Sequence, residues 1–318
     1  MKNILEYYFQ EQIDEIISQK SINRFEESNE IKSSQSNNIN NDNRNNNVEV
    51  TSVKITNNEV ANKEVVKNKI LTENKVLKDN FIKPVFSTSQ AVSNLAKRFQ
   101  NDNFMNDQSY QSLNEIIKKA QDLAKTANNT KELKKIVEDF DGCNLKKMAS
   151  NTVFCDGNPN SKIMVIGEAP GNQEDLKAIP FCGDSGIMLD AMFKAINMKR
   201  SEDYYITNVI FWRPPGNRRP TDEELAICRP FVERHIELVG PKVIILVGAT
   251  SMSAILGSSD PISKIRGRFN DYAPDFLKSP CKSFVIFHPS YLMRQPMKKK
   301  IAWQDMLKLE QFILNNYN

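Results

Sequence analysis

Two histidines occur in the 318 residues, His235 and His288. Imidazole titrates near neutrality, so each is a candidate proton donor. His288 directly follows the apolar run Ser283–Phe287 and opens His288-Pro289-Ser290-Tyr291-Leu292-Met293-Arg294. His235 sits inside the helical pattern ERHIELV and reads as an ordinary helix residue. Asn208 lies inside the apolar stretch Asp203–Ile210. A buried amide needs partners at both ends. Asn208 is therefore either a satisfied structural amide or a reader of a planar base, because a carboxamide donates to a carbonyl and accepts from a ring N–H.

Further candidates lie in loops after apolar runs. Gly167-Glu168-Ala169-Pro170-Gly171, then Asn172-Gln173-Glu174-Asp175, follow Lys162–Ile166. Glycine lets backbone approach a ligand closely. The segment lacks a full dinucleotide fingerprint and the Lys-Ser/Thr of a phosphate loop, so alone it reads first as a tight strand-to-helix turn. Phe181, in the glycine-flanked run Pro180–Gly186, is either a core plug or a platform on which a base stacks. Arg213, Arg218 and Arg219 share a proline-stiffened loop with Asn217 and suit phosphate contact, although a solvated charge cluster is an equal reading. Leu292 and Met293 beside Arg294 either form an apolar wedge, of the kind that fills the gap left by an extruded nucleotide, or begin a helix and pack inward.

These residues need a scaffold. Lys162–Gly167, Asp203–Ile210, Lys242–Gly248 and Ser283–Phe287 read as strands. Between them Ile187–Asn197, Asp222–Leu238 and Thr250–Leu256 read as helices. Continuous apolar strands alternating with helices predict a mostly parallel sheet covered on both faces. Ligands of such sheets bind beyond the carboxyl ends of the strands, where the loops above lie. Two helical patterns precede the sheet, Leu113–Ala127 and Lys131–Phe140, with Thr130 as the expected N-cap of the second.

The remainder of the chain is of another kind. Ile4, Leu5, Tyr8, Phe9, Ile13, Ile16 and Ile17 fall at helical spacing and predict one amphipathic helix over 1–20. Residues 21–108 are rich in Asn, Ser, Lys and Glu, with a run dominated by Asn and Ser at Ser33–Asn47. Such a segment buries too little apolar surface to offset its ordering entropy and is expected to be a largely disordered linker, with room for a protein partner. The domain proper is then 109–318. Formal net charge is +4. Residues 1–139 balance basic against acidic side chains, so the surplus lies beyond them and permits an anionic partner. No apolar stretch approaches about 18 residues, so no membrane span is expected. Nor does the acidic, interrupted N-terminus resemble a secretory signal. Five cysteines in such a chain are expected as thiols or ligands in a reducing cytoplasm.

Taken in order, the motifs GEAPG with Glu174-Asp175, PFCGDSG, YITN, RPPGNRRPT, HPSYLMR and Ala302–Met306 (AWQDM) resemble the uracil-DNA glycosylase superfamily, specifically its type 4 enzymes. The likeness runs from about Phe140 to Leu309. It implies a three-layer α/β/α sandwich, a monomer, and cleavage of the N-glycosidic bond of deoxyuridine in DNA, as in base-excision repair. It implies that Phe181 stacks on a flipped uracil, that Asn208 reads its polar edge, and that His288 donates to its O2. It places Glu168 and Ala169 around the attacking water and Glu174 near C5, where thymine's methyl is rejected. Asn217 would lie near the site, Arg213 and Arg218 on the DNA, and Leu292, Met293 and Arg294 in the minor-groove loop. Such enzymes usually hold a [4Fe–4S] cluster on four cysteines. Cys143 and Cys228 match two of those places, whereas Phe140 and Trp212 occupy the others. Cys155, Cys182 and Cys281 fall at neither vacant position, so no cluster is expected. Two alternatives have sequence-level content. One is a non-catalytic DNA-binding protein of this fold. The other is a glycosylase shifted to another deaminated base. A nucleotide-binding enzyme is disfavoured by the missing phosphate-loop lysine.

Overall fold

The computed structural model describes residues 107–317. The expected helix over 1–20 lies outside them, as does all of the expected linker but its last two residues. Two helices lead, α1 (Asp107–Thr126) and α2 (Thr130–Asp139). Asn129, not Thr130, caps α2: its side chain accepts from the Glu132 backbone N–H at 2.9 Å. Asparagine is at least as good a cap as threonine, and here it stands one residue further out.

The sheet has six strands: β1 (Asp156–Gly157), β2 (Ile163–Gly167), β3 (Tyr205–Asn208), β4 (Val243–Val247), β5 (Phe269–Tyr272) and β6 (Cys281–Ile286). Their spatial order is β1-β3-β2-β4-β6-β5. The inner four are parallel and are the four strands expected from the sequence. The outer two pair antiparallel and were not expected. β2 and β4 are buried at every position, as a sheet covered on both faces requires.

Helices α3 (Asn172–Lys177), α4 (Asp184–Ala195) and α5 (Arg200–Asp203) lie between β2 and β3. α6 (Asp222–Val239) joins β3 to β4, and α7 (Ala249–Leu256) and α8 (Ile262–Ile265) lead to β5. α9 (Pro289–Arg294) and α10 (Lys299–Tyr317) close the chain. A capping box between Thr221 and Glu224 starts α6. Met164, Ile166, Ile244, Leu246 and Val285 share one core cluster with Leu133 and Val137 of α2 and Phe231 of α6. Side chains alternate along a strand, so Val165, Ile245 and Phe284 turn to the other face, where α10 packs on β6 and α4. The result is the expected α/β sandwich. No helix among the described residues is long and apolar enough to cross a membrane.

Candidate active site

Three side chains converge where β2, β3 and β6 end. Gly167, the last residue of β2, pairs with Asn208, the last of β3. A Cβ on Gly167 would collide with Phe181 Cζ and with Asn208 Oδ1, so glycine is what lets the ring and the amide meet above the backbone. Asn208 is 1% exposed and its Oδ1 has no partner. A buried acceptor left unpaired costs about 1–3 kcal/mol, and such groups in folded proteins call for an explanation. Here the free lone pair is aimed into the notch beside Phe181.

His288 enters from the end of β6. Its ring centroid lies 6.0 Å from that of Phe181. Gly248, after β4, takes φ +95° and leaves room for the imidazole: a Cβ there would stand 3.1 Å from His288 Cβ. His288 caps α9, its Nδ1 accepting from the Ser290 backbone N–H at 3.2 Å. The Ser290 hydroxyl lies 2.8 Å from the same nitrogen. A backbone N–H only donates, so Nδ1 is the lone-pair nitrogen and the ring proton sits on Nε2. Burial, then the Arg294 charge, pushes the pKa down to about 4, against a small opposing pull from Glu174. His288 is thus a neutral N–H donor at neutral pH. Ser290 and Gly248 were not singled out in the sequence. A hydroxyl two residues after the histidine was the available signal for Ser290.

Glu174 does something other than stand free near C5. It is buried, and its Oε1 accepts from the backbone N–H groups of Cys182 (3.0 Å) and Gly183 (2.8 Å) while Oε2 accepts from that of Gly171 (3.1 Å). It ties the loop after β2 to the loop that carries Phe181. Glu168 follows Gly167 directly and is half-buried, its carbonyl accepting from Ile210 N–H at 3.1 Å. Ala169 is partly buried against the core.

The arginines divide. Arg213 is held by Asn217 Oδ1 (Nε, 2.7 Å) and by Asn172 Oδ1 (Nη1, 2.7 Å), which links the proline-rich loop to the start of α3. Asn217 is exposed and serves as that acceptor. Arg218 is turned away onto Glu224 in a two-pronged ion pair at 2.9 and 2.6 Å, where it supports the start of α6. It is not presented as a free phosphate contact. The wedge is also corrected. Leu292 and Met293 lie on helix α9, with Leu292 0% exposed in the core and Met293 42% exposed. Helical periodicity turns one inward and the other out. Met293 and the exposed Arg294 remain at the surface.

The cysteine positions form a separate corner. Cys143 and Cys228 are fully buried with their thiols in contact. That contact draws the Cys143 thiol down, and Cys228 is pushed well up. Phe140 packs edge-on against Phe231 at 4.9 Å. Trp212 is 1% exposed, its indole N–H donating to Thr152 Oγ at 2.9 Å. Among the described residues no three His, Cys, Asp or Glu side chains stand together as metal ligands. Two buried thiols with Phe140 and Trp212 at the other two places do not fit a four-thiolate cluster.

A family model described as the uracil DNA glycosylase superfamily matches residues 154–307. A type-4 uracil-DNA glycosylase of Thermotoga maritima is 37% identical over 174 residues, covering 54% of this chain and 88% of that protein. One from Archaeoglobus fulgidus is 36% identical over 171 residues, 52% of this chain and 84% of the relative. One from Saccharolobus solfataricus is 34% identical over 173 residues, 53% and 79% respectively. The matched segment holds β2, β3, β4 and β6 and every residue of the notch, and on this coverage the chain belongs to the uracil-DNA glycosylase superfamily.

Proposed function

We propose that this protein releases uracil from DNA by hydrolysing its N-glycosidic bond, leaving an abasic site for base-excision repair. The observation that carries the reading is the unpaired Asn208 Oδ1 facing the Phe181 ring, with a neutral His288 across it. A uracil stacked on Phe181 would give Oδ1 its N3–H, and the Asn208 amide N–H would reach O4. Cytosine has a lone pair at N3 in place of that N–H, so two acceptors would face each other and the base would be rejected. As the bond from C1′ to N1 breaks, its electron pair moves into the ring and charge grows on O2. His288 Nε2–H donates to that oxygen, an interaction that strengthens toward the transition state. Water adds at C1′, and we assign its proton to Glu168, the carboxylate next to Gly167.

Arg213, Met293 and Arg294 are the side chains we assign to the DNA. The domain acts on it as a monomer in the cytoplasm and without an iron–sulfur cluster, because the corner that would hold one is filled by Phe140 and Trp212. Light scattering of the purified chain, alone and with an oligonucleotide, checks the monomer.

The test uses oligonucleotides with one uracil, single-stranded or opposite A or G, followed by alkaline cleavage of abasic sites. Uracil-dependent scission by the wild type, lost in His288→Ala while DNA affinity is kept, is the expected outcome. No scission from folded wild-type protein overturns the reading.

A further inference from the structure

The residue that carries the base platform is held in an unfavourable shape. Phe181 has φ +52° and Ala178, at the end of α3, has φ +55°. Residues with a side chain adopt such angles at a cost and keep them only where the surroundings impose them. Residues 180–183 belong to no helix or strand, so no ladder of regular hydrogen bonds imposes the shape, and side chains hold the turn from two sides. One side is already accounted for: Glu174 takes the N–H groups of Cys182 and Gly183.

The carbonyls of the same turn are taken by Arg200, the first residue of α5. Its Nη1 donates to Pro180 O at 2.8 Å and its Nη2 to Phe181 O at 2.7 Å. The rest of the guanidinium is aimed from behind. Asp190 Oδ1, on α4, accepts from Nε at 3.0 Å and Nη2 at 2.8 Å, and also from the Tyr204 hydroxyl at 2.7 Å. Asp156 Oδ2 lies 3.3 Å from Nη1. The five contacts match the five N–H donors of arginine, and the side chain is 15% exposed. A lysine there would offer three donors from one point and could not span two carbonyls and a carboxylate.

We propose that Arg200 is a positioning residue for base release, acting through Phe181. It touches no reacting atom. It fixes the two carbonyls that bracket the Phe181 Cα, so that the ring lies over Gly167 before a base arrives and need not be ordered on binding. The inference rests on the uracil-release reading above, and it adds a residue from outside the loops that line the notch.

The test is a double-mutant cycle on the full chain under single-turnover conditions, with Arg200→Ala, Phe181→Ala and both together. A misplacement of about 1 Å costs on the order of 10²-fold, so each single variant is expected to slow uracil release by about that factor. The double variant is expected to be no slower than Phe181→Ala alone. If the two losses multiply, or if Arg200→Ala matches wild type, the proposal falls while uracil release stands. Asp190→Asn keeps the arginine but removes the charge that aims it, and covers the case in which Arg200→Ala does not fold. It is expected to show a smaller loss that also vanishes in the Phe181→Ala background. A wild type that releases no uracil overturns the functional reading instead. Amide exchange at Cys182 and Gly183 then decides for Arg200: faster exchange in Arg200→Ala supports the clamp, and unchanged exchange sinks it.

Discussion

At the strand ends, Asn208 is 1% exposed and its Oδ1 has no partner. At the corner between α2 and α6, Trp212 is equally buried and its one polar atom donates to Thr152. The same contrast runs through both regions. The notch keeps glycines where side chains would collide, a phenylalanine at positive φ, and a histidine whose pKa is driven down to about 4. The corner keeps two aromatic rings, two mutually paired thiols and no strain. An unpaired acceptor and a strained turn lower stability and make sense only where a ligand completes them. A satisfied apolar plug does the reverse. The two regions therefore separate what the sequence keeps for stability from what it keeps for chemistry, and substitutions in each should move different measurements.

The largest effect is expected in the corner. Trp212→Ala removes a fully packed indole and leaves Thr152 without its donor. Such truncations cost about 3–5 kcal/mol. The unfolding free energy from denaturant titration should fall by that much, with uracil release per folded molecule nearly unchanged. A variant of normal stability that has lost activity would erase the contrast, because the corner would then take part in chemistry. Iron analysis of wild-type protein refolded with iron and sulfide sharpens the same point. The expected result is no bound iron.

His288→Ala is the mirror experiment. Loss of one donor to a developing oxyanion costs about 2.7–4 kcal/mol of transition-state stabilisation, or 10²–10³ in rate. Stability should change little, since the ring is only half-buried and serves mainly as the cap of a six-residue helix. A large drop in Tm would mean that His288 is chiefly structural.

Glu174 lies between the two regions in character, because it is buried for structural reasons but supports the base platform. Glu174→Gln removes the charge from three backbone hydrogen bonds and turns an amide N–H toward the Gly171 N–H. Hydrogen bonds to charged groups contribute about 1.5–3 kcal/mol. A loss of that order is expected by denaturant unfolding, with the slope unchanged. Uracil release should slow as well, because the Phe181 turn loses one of its two anchors. Full activity in a destabilised variant would show that the turn needs Arg200 alone.

How far these roles were legible follows from what each residue talks to. β2 and β4 were readable because strands buried on both faces are written as unbroken apolar runs. β5 was missed because three of its four residues are half-buried, and β1 because two residues carry no period. Asn208 stood out as an amide inside an apolar run and His288 as the residue directly after one; the structure ends β3 at Asn208 itself. Arg200 gave no signal, since two of its partners are backbone carbonyls and the carboxylates that aim it, Asp156 and Asp190, lie 44 and 10 residues away in sequence. For Leu292 and Met293 the wedge and the inward-packed helix start are equally written in the sequence, and helical geometry divides them, burying Leu292 and leaving Met293 at the surface. Arg218 was grouped with Arg213 by proximity in sequence, whereas Glu224 six residues on claims it.

The last comparison concerns pH, where the effect on the rate should be the smallest of all, and it tests the protonation state on which the notch depends. His288 is held down to about 4 by burial and by Arg294, and His235 is pushed to about 3 by burial alone. Both lie below the unperturbed value of about 6.5. As pH falls through about 6.5 the unfolded chain takes up these protons first, so the histidines' contribution to stability declines from there, ceasing to fall near 4 for His288 and near 3 for His235, and is fully present above about 6.5. Catalysis should behave differently over the same range. A neutral His288 already carries the proton on Nε2 that uracil O2 needs, and its Nδ1 is committed to Ser290 N–H, so nothing in the donor changes between pH 8 and about 5. Single-turnover release at saturating enzyme should therefore be flat across that window while Tm falls within its lower part. A rate that rises as pH falls through about 6.5 would mean that the imidazolium is the working form. That would require Ser290 N–H to release Nδ1, and the strand-end geometry described here would not be the reactive one.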